Sequence, residues 1–172
     1  MPFENGEFWK PLEPEKRGRH KSFNSATEAA LRDLLKKAGA DVSGVVTDAT
    51  RVTNTYVKPL RKGFAENVVY EDPRLDFTNY DPLGKATEKK LIAALEKLVK
   101  KIDILCVCDQ IPFGCITPAV REKIISLGKK GLVVIVDSRD RIALYTDVIV
   151  KPNEIEAARA LEGEIPPTAF AK

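Results

Sequence analysis

Near the end of the chain, Lys151-Pro152-Asn153-Glu154-Ile155-Glu156 brings a cation, an amide and carboxylates within six residues. Val148, Ile149 and Val150 precede it and are β-branched, as in a buried strand. Pro152 drives Lys151 into an extended conformation and removes a backbone donor where no ladder continues. Asn153 is a good helix N-cap, and Glu156 follows at capping-box spacing. Ile155, Ala158 and Leu161 then form a helical apolar stripe. Two readings stand side by side. In one, Asn153 and Glu156 merely satisfy each other's backbone donors. In the other, an amide and a carboxylate one turn apart, beyond a strand's carboxyl end, sit where open α/β sheets bind phosphates and metal.

The elements that must position these groups are readable upstream. Ile104 to Cys108 and Leu132 to Val136 are apolar runs of strand length. Amphipathic helices are predicted over Thr87 to Lys101 and over Pro118 to Leu127, the second with proline in its first turn. Apolar strands without alternation, separated by amphipathic helices, predict a parallel sheet covered on both faces. Polar residues follow each strand: Asp109-Gln110, Asp137-Ser138-Arg139-Asp140, and Lys151-Pro152-Asn153. Convergence of three polar ends on one edge points to a binding site. Strand ends are also simply where chains meet solvent. Further upstream, Thr27 to Ala38 reads as a helix ended by Gly39. Val42 to Thr47 reads as a strand of the parallel sheet. Val52 to Val57 reads as a strand that residues 67–70 could pair with, and the stretch with Pro73, Asp76, Pro82 and Gly84 as irregular.

Composition sets wider limits. A chain of 172 residues is long enough for one domain with a real core. A net charge of +3 is too small to argue for nucleic acid, and no run approaches transmembrane length. The opening residues lack an apolar signal core, so a cytoplasmic protein is expected, with its cysteines reduced. Cys106 and Cys108 share one strand face, which suits packing; with Cys115 and a single histidine they make a poor zinc set. Residues 1–25 carry three prolines and a basic cluster from Lys16 to Lys21 without periodicity, an irregular arm ahead of an α/β domain over 26–172.

The motifs, taken in order, resemble the ribokinase (PfkB) family of sugar kinases. Gly131 to Arg139, followed by Thr146 to Ala157 with its Asn-x-x-Glu, is similar to the family's nucleotide side. Leu34-Leu35 to Gly39 and Asp41 to Asp48 resemble the helix and strand before its lid, and Arg51-Val-Thr53-Asn-Thr55-Tyr-Val-Lys58 resembles the lid strand. Arg74-Leu-Asp76-Phe and Asp109 to Thr117 are similar to the heptose-phosphate kinase branch. The resemblance spans residues 31 to 162. It implies a three-layer α/β/α, Rossmann-like core with a mainly parallel sheet and a small β-lid at about 50–80. It also implies ATP-dependent phosphorylation of a sugar or sugar-phosphate hydroxyl. Asn153, Glu156, Lys151 and Asp137 would then face Mg²⁺ and the nucleotide phosphates, with Glu156 the metal-side carboxylate. Arg51, Thr53, Thr55 and Asp109 would face the sugar.

The departures are specific. Nothing before residue 25 resembles the family's sugar-embracing glycine pair. No Gly-Ala-Gly-Asp turn, with its phosphate-holding amides and its base, occurs in these residues. Tyr56 stands where the heptose branch usually has a lysine. The expectation is an incomplete kinase core, inactive alone, that forms a homo-oligomer or joins a complementary kinase fragment. The alternative is a non-catalytic remnant acting as an interaction module. A role with nucleic acid or membrane is not expected.

Overall fold

The computed structural model describes residues 21–62 and 69–161, with side chains from residue 26 onward. Residues 1–20, most of the expected arm, lie outside the described part, as do Asn67 and Val68. The chain divides into two compact units, Met1–Val42 with Ala49–Thr78, and Ser43–Asp48 with Asn79–Lys172.

In the first unit, helix α1 spans Lys21–Lys37, starting earlier than the periodicity predicts. Gly39 closes it at φ 82°, where a side chain would be strained. The Arg32 guanidinium holds the Glu28 carboxylate at 3.0 Å, one turn back. An antiparallel ribbon follows, built from β1 (Thr55–Val57), β2 (Leu60–Lys62), β3 (Val69–Glu71) and β4 (Leu75–Phe77). β1 pairs with β4, Tyr56 facing Asp76, and β2 pairs with β3, Arg61 facing Tyr70. The register shifts by one residue between the two pairs, at Pro59 and Pro73, which cannot donate to a ladder. Three expectations change here. The strand expected over 52–57 begins only at Thr55, and residues 69–71 pair with 60–62 rather than with it. The supposedly irregular Leu75–Phe77 is its partner instead. Arg74 secures the pairing: it forks onto the Asp76 carboxylate at 2.6 and 2.8 Å and lies 4.4 Å over the Tyr56 ring.

The second unit contains α2 (Lys85–Leu98), β5 (Ile104–Asp109), α3 (Pro118–Lys129), β6 (Val133–Ser138), β7 (Ile149–Val150) and α4 (Glu154–Ala160). β5, β6 and β7 form a parallel sheet in that order, with Cys108 beside Asp137 and Val136 beside Val150. This is a mixed α/β architecture compatible with a Rossmann-like fold. α3 starts where Thr117 caps the amide of Val120 and Pro118 takes a first-turn position that needs no donor. The core lies on one sheet face. Val107 and Val136 meet Val120 and Ile124 of α3, with Leu91, Ile92 and Leu95 of α2 alongside. Ile124 is 1% exposed, so truncation to alanine would cost about 2–5 kcal/mol.

Residues 42–47 are not a strand. Ser43-Gly44 turns instead, and Gly44 lies so close to the Leu98 side chain that a Cβ there would clash. The Thr87 hydroxyl anchors the same segment by donating to Asp48 at 2.7 Å. The sheet is also not covered on both faces among the described residues. Ile104, Val133 and Ile149 are 52%, 45% and 56% exposed, and Cys106 and Cys108 are exposed rather than packed. Alternation is therefore present in burial though absent in residue type, because the outward positions of β5 and β6 are also apolar.

Candidate functional site

Two polar clusters form where β5, β6 and β7 end. The first is buried. Leu105, Val107 and Asp109 share a face of β5, so period-two alternation carries Asp109 into the core, where it is 2% exposed. A lone carboxylate there would be prohibitive. Three groups satisfy it, one from the last residue of β6 and two from the segment that follows. Arg141 donates through Nε to Asp109 Oδ2 at 3.0 Å and through Nη2 to Oδ1. The Tyr145 hydroxyl donates at 2.9 Å, and the fully buried Ser138 hydroxyl at 3.3 Å. Arg141 also donates to the carbonyl of Ile111 at 2.9 Å, which pins the turn after β5. Asp109 raises the arginine's already high pKa through its hydrogen bond first and its charge second. Burial, with the Asp109 hydrogen bond next, pushes the Tyr145 hydroxyl far above its ordinary value of 10.0.

The second cluster is open to solvent and links all three strand ends. Gln110 Nε2 donates to Asp137 Oδ1 at 2.5 Å, and Lys151 Nζ pairs with Asp137 Oδ2 at 3.0 Å. The Asp137 hydrogen bond, then its charge, raises the Lys151 pKa; Glu156 and Cys108 add smaller pulls in the same direction. Lys151 therefore stays cationic at any physiological pH. Two residues on, both capping-box bonds are formed. Asn153 Oδ1 accepts from the Glu156 amide at 2.8 Å, and Glu156 Oε2 accepts from the Asn153 amide at 2.9 Å. Glu156 is 8% exposed.

The residues expected on the nucleotide side are thus neighbours on one sheet edge: Asp137 contacts Lys151 directly, and Asn153 and Glu156 hold each other. Those expected on the sugar side are divided. Arg51, Thr53 and Thr55 belong to the first unit, where they are half-buried and the Thr55 hydroxyl donates to the Thr53 carbonyl at 2.9 Å. Asp109 belongs to the second, with both carboxylate oxygens engaged. Sequence reasoning missed Arg141, Tyr145 and Ser138. Alternation along β5 was the available signal, since it sends Asp109 inward and so demands partners.

Among the described residues, no three histidine, cysteine or carboxylate side chains gather into a metal-holding group. A resident, fully protein-ligated metal does not fit here. A magnesium ion arriving with phosphates needs only one or two carboxylates, and Glu156 and Asp137 have the right donor chemistry. No described helix is long and apolar enough to cross a membrane.

No family model matches the chain, and no solved structure matches it significantly. Among curated proteins, it is 26% identical over 125 residues to the bifunctional protein HldE of Geobacter metallireducens. The match covers 71% of this chain and 24% of that protein, so it spans about a quarter of the relative's length. At this identity and coverage the match is a likeness over that span and fixes no family for the chain.

Proposed function

We propose that the second unit is the nucleotide-phosphate half of a PfkB-type carbohydrate kinase core that takes ATP with Mg²⁺. The observation that carries this reading is the Gln110–Asp137–Lys151 chain across three parallel strand ends, beside Asn153 and Glu156. The HldE likeness and the order of the kinase-like motifs support it. In open α/β sheets this edge receives ligands. Lys151 supplies a fixed positive charge for phosphate oxygens. α4 has only seven residues, so its dipole contributes little, and charge recognition rests on side chains. The bond to Asn153 commits Glu156 Oε2, leaving Oε1 as the atom that would hold a hydrated magnesium ion. A bound magnesium ion would neutralise phosphate charge during transfer. The chain's own residues bind and orient the phosphates.

These 172 residues contain no Gly-Ala-Gly-Asp turn, so the purified chain should bind nucleotide weakly and turn over negligibly. A positioned general base contributes ~10²–10⁴-fold, and preorganised amides roughly another 10²–10³. A second reading, a non-catalytic interaction module, is favoured by one specific observation: Asp109, Asn153 and Glu156 are all engaged by the protein itself. Calorimetry with ATP, with and without Mg²⁺, separates the two. Mg²⁺-dependent binding that Lys151→Met weakens about tenfold supports the kinase-derived site. No binding at millimolar ATP supports the module. Robust sugar phosphorylation in a coupled assay, abolished by Glu156→Gln, would overturn the expectation of inactivity.

A further inference from the structure

The buried cluster and the open edge meet at one residue. Gln110 lies one position past the end of β5, whose register with β6 stops at Asp109. Beyond that point the Arg141 guanidinium ties the chain down on both sides of the glutamine. Its Nη2 donates to the Ile111 carbonyl at 2.9 Å and comes within 3.5 Å of the Asp109 carbonyl, while its fork grips the Asp109 carboxylate. The Gly114 amide closes the following turn onto the same Ile111 carbonyl at 3.2 Å, a bond internal to the turn that cannot by itself fix it against the sheet. Arg141 is anchored in its own right, because its amide donates to the buried Ser138 hydroxyl at 3.3 Å, at the end of β6. From this held backbone the Gln110 side chain reaches Asp137 Oδ1 at 2.5 Å, and Asp137 Oδ2 pairs with Lys151 at 3.0 Å.

We propose that Arg141 is a positioning residue for the open edge: by clamping the backbone on both sides of Gln110, it aims the glutamine amide at Asp137, which then holds the Lys151 ammonium in place. One guanidinium suits the task, since its planar fork can grip a carboxylate and still spare an N–H for the carbonyl of another segment. The edge needs such support. The Lys151 and Asp137 side chains are 66% and 36% exposed, and an exposed ion pair by itself holds long side chains loosely. A glutamine fixed from the core passes rigidity to that pair before any ligand arrives, so less ordering remains to be done on binding. The proposal rests on the nucleotide reading only for its consequence, that Lys151 meets phosphate; the positioning itself is a property of the free chain.

Gln110 is the sole glutamine of the chain, so ¹⁵N-glutamine labelling gives a single side-chain amide to follow by nuclear magnetic resonance. In the free wild type it should be displaced from the free-glutamine position and relax like rigid backbone. Arg141→Lys keeps a cation beside Asp109 but loses the fork and with it the tie to Ile111, so the signal should move to the free-glutamine position and sharpen. Tyr145→Phe removes another donor from Asp109 without touching that tie, and its glutamine signal should stay where it is. Should Arg141→Lys not fold by circular dichroism, Arg141→Met combined with Asp109→Asn, which buries no charge, takes its place. A glutamine already mobile in the wild type, a signal unmoved in the folded Arg141 variant, or one freed equally by Tyr145→Phe would each overturn the proposal. Calorimetry with MgATP then tests the consequence. Gln110→Ala should weaken binding about two- to tenfold, and Arg141→Lys should weaken it no further in that background although it still lowers stability. Additive losses would show that Arg141 acts by another route and overturn the link to Gln110. A wild type that binds no ATP would fail the nucleotide reading and leave the labelling result to decide the positioning.

Discussion

Replacing Arg141 with methionine should be among the most damaging single changes in the second unit. The side chain is 21% exposed, while the carboxylate it pairs with is 2% exposed, so solvent does little to screen the pair. Methionine roughly conserves length but removes both hydrogen bonds to the Asp109 carboxylate and those to the carbonyls of Asp109 and Ile111. The hydroxyls of Tyr145 and Ser138 remain, two neutral donors facing a buried charge. Breaking a buried ion pair from one side costs ~3–5 kcal/mol. A unit of about 100 residues has roughly 5–15 kcal/mol in total, so a large share of the margin goes. Urea unfolding followed by far-ultraviolet circular dichroism would give the change, with Asp109→Asn combined with Arg141→Met as the second measurement. The double variant should recover part of the loss, because no charge is then buried. A single-variant loss below ~1 kcal/mol, or a double variant less stable than the single, would show that Asp109 is solvated and refute the reasoning.

Three further outcomes are expected. Gly128→Ala should destabilise by ~1–3 kcal/mol or more, because the new Cβ meets the backbone carbonyl of Asp147, which cannot rotate away; thermal melts decide it. Glu88 is buried, and the Thr117 hydroxyl, then Lys85, holds its carboxyl below the ordinary value of 4.5. Its stabilising contribution is therefore complete above about pH 4.5 and lost as pH falls through the lowered value, so Glu88→Gln should flatten the acid limb of a stability–pH profile. Asn153→Ala should cost about 1 kcal/mol through the lost cap, whereas Asn153→Ser should cost far less; equal losses in denaturant titrations would show that the cap contributes nothing.

The parallel strands and their helices were legible because they rest on local chemistry. Apolar runs such as Val133 to Val136 are bounded by turn residues, and Pro118 and Asn153 mark helix starts wherever they occur. Legibility failed where pairing across distance decides. Residues 42–47 have strand-like composition, yet the approach of Gly44 to Leu98 draws them into a turn. Leu75–Phe77 reads as irregular until Arg74 and Tyr56 are brought together by the ribbon. The covering of the sheet was misjudged for a related reason: composition reports what a face would prefer, not whether anything lies on it. In the candidate site, the Asn153–Glu156 box was visible from spacing alone. The Arg141–Asp109 pair was not, because its partners stand 32 residues apart and nothing local links them.

β7 is held far more lightly than its neighbours. β5 and β6 are in register over six residues, whereas β7 pairs at only two, with one more bond from the Lys151 amide to the Val136 carbonyl at 2.9 Å. Amide hydrogen exchange should therefore find β7 and α4 opening together as a separate cooperative piece, well before β5 and β6 yield. That piece carries Lys151, Asn153 and Glu156, while Gln110 and Asp137 stay with the rigid strands. Any anion gripping both sides would act as a clasp across this seam, and its affinity would report how often the seam is closed.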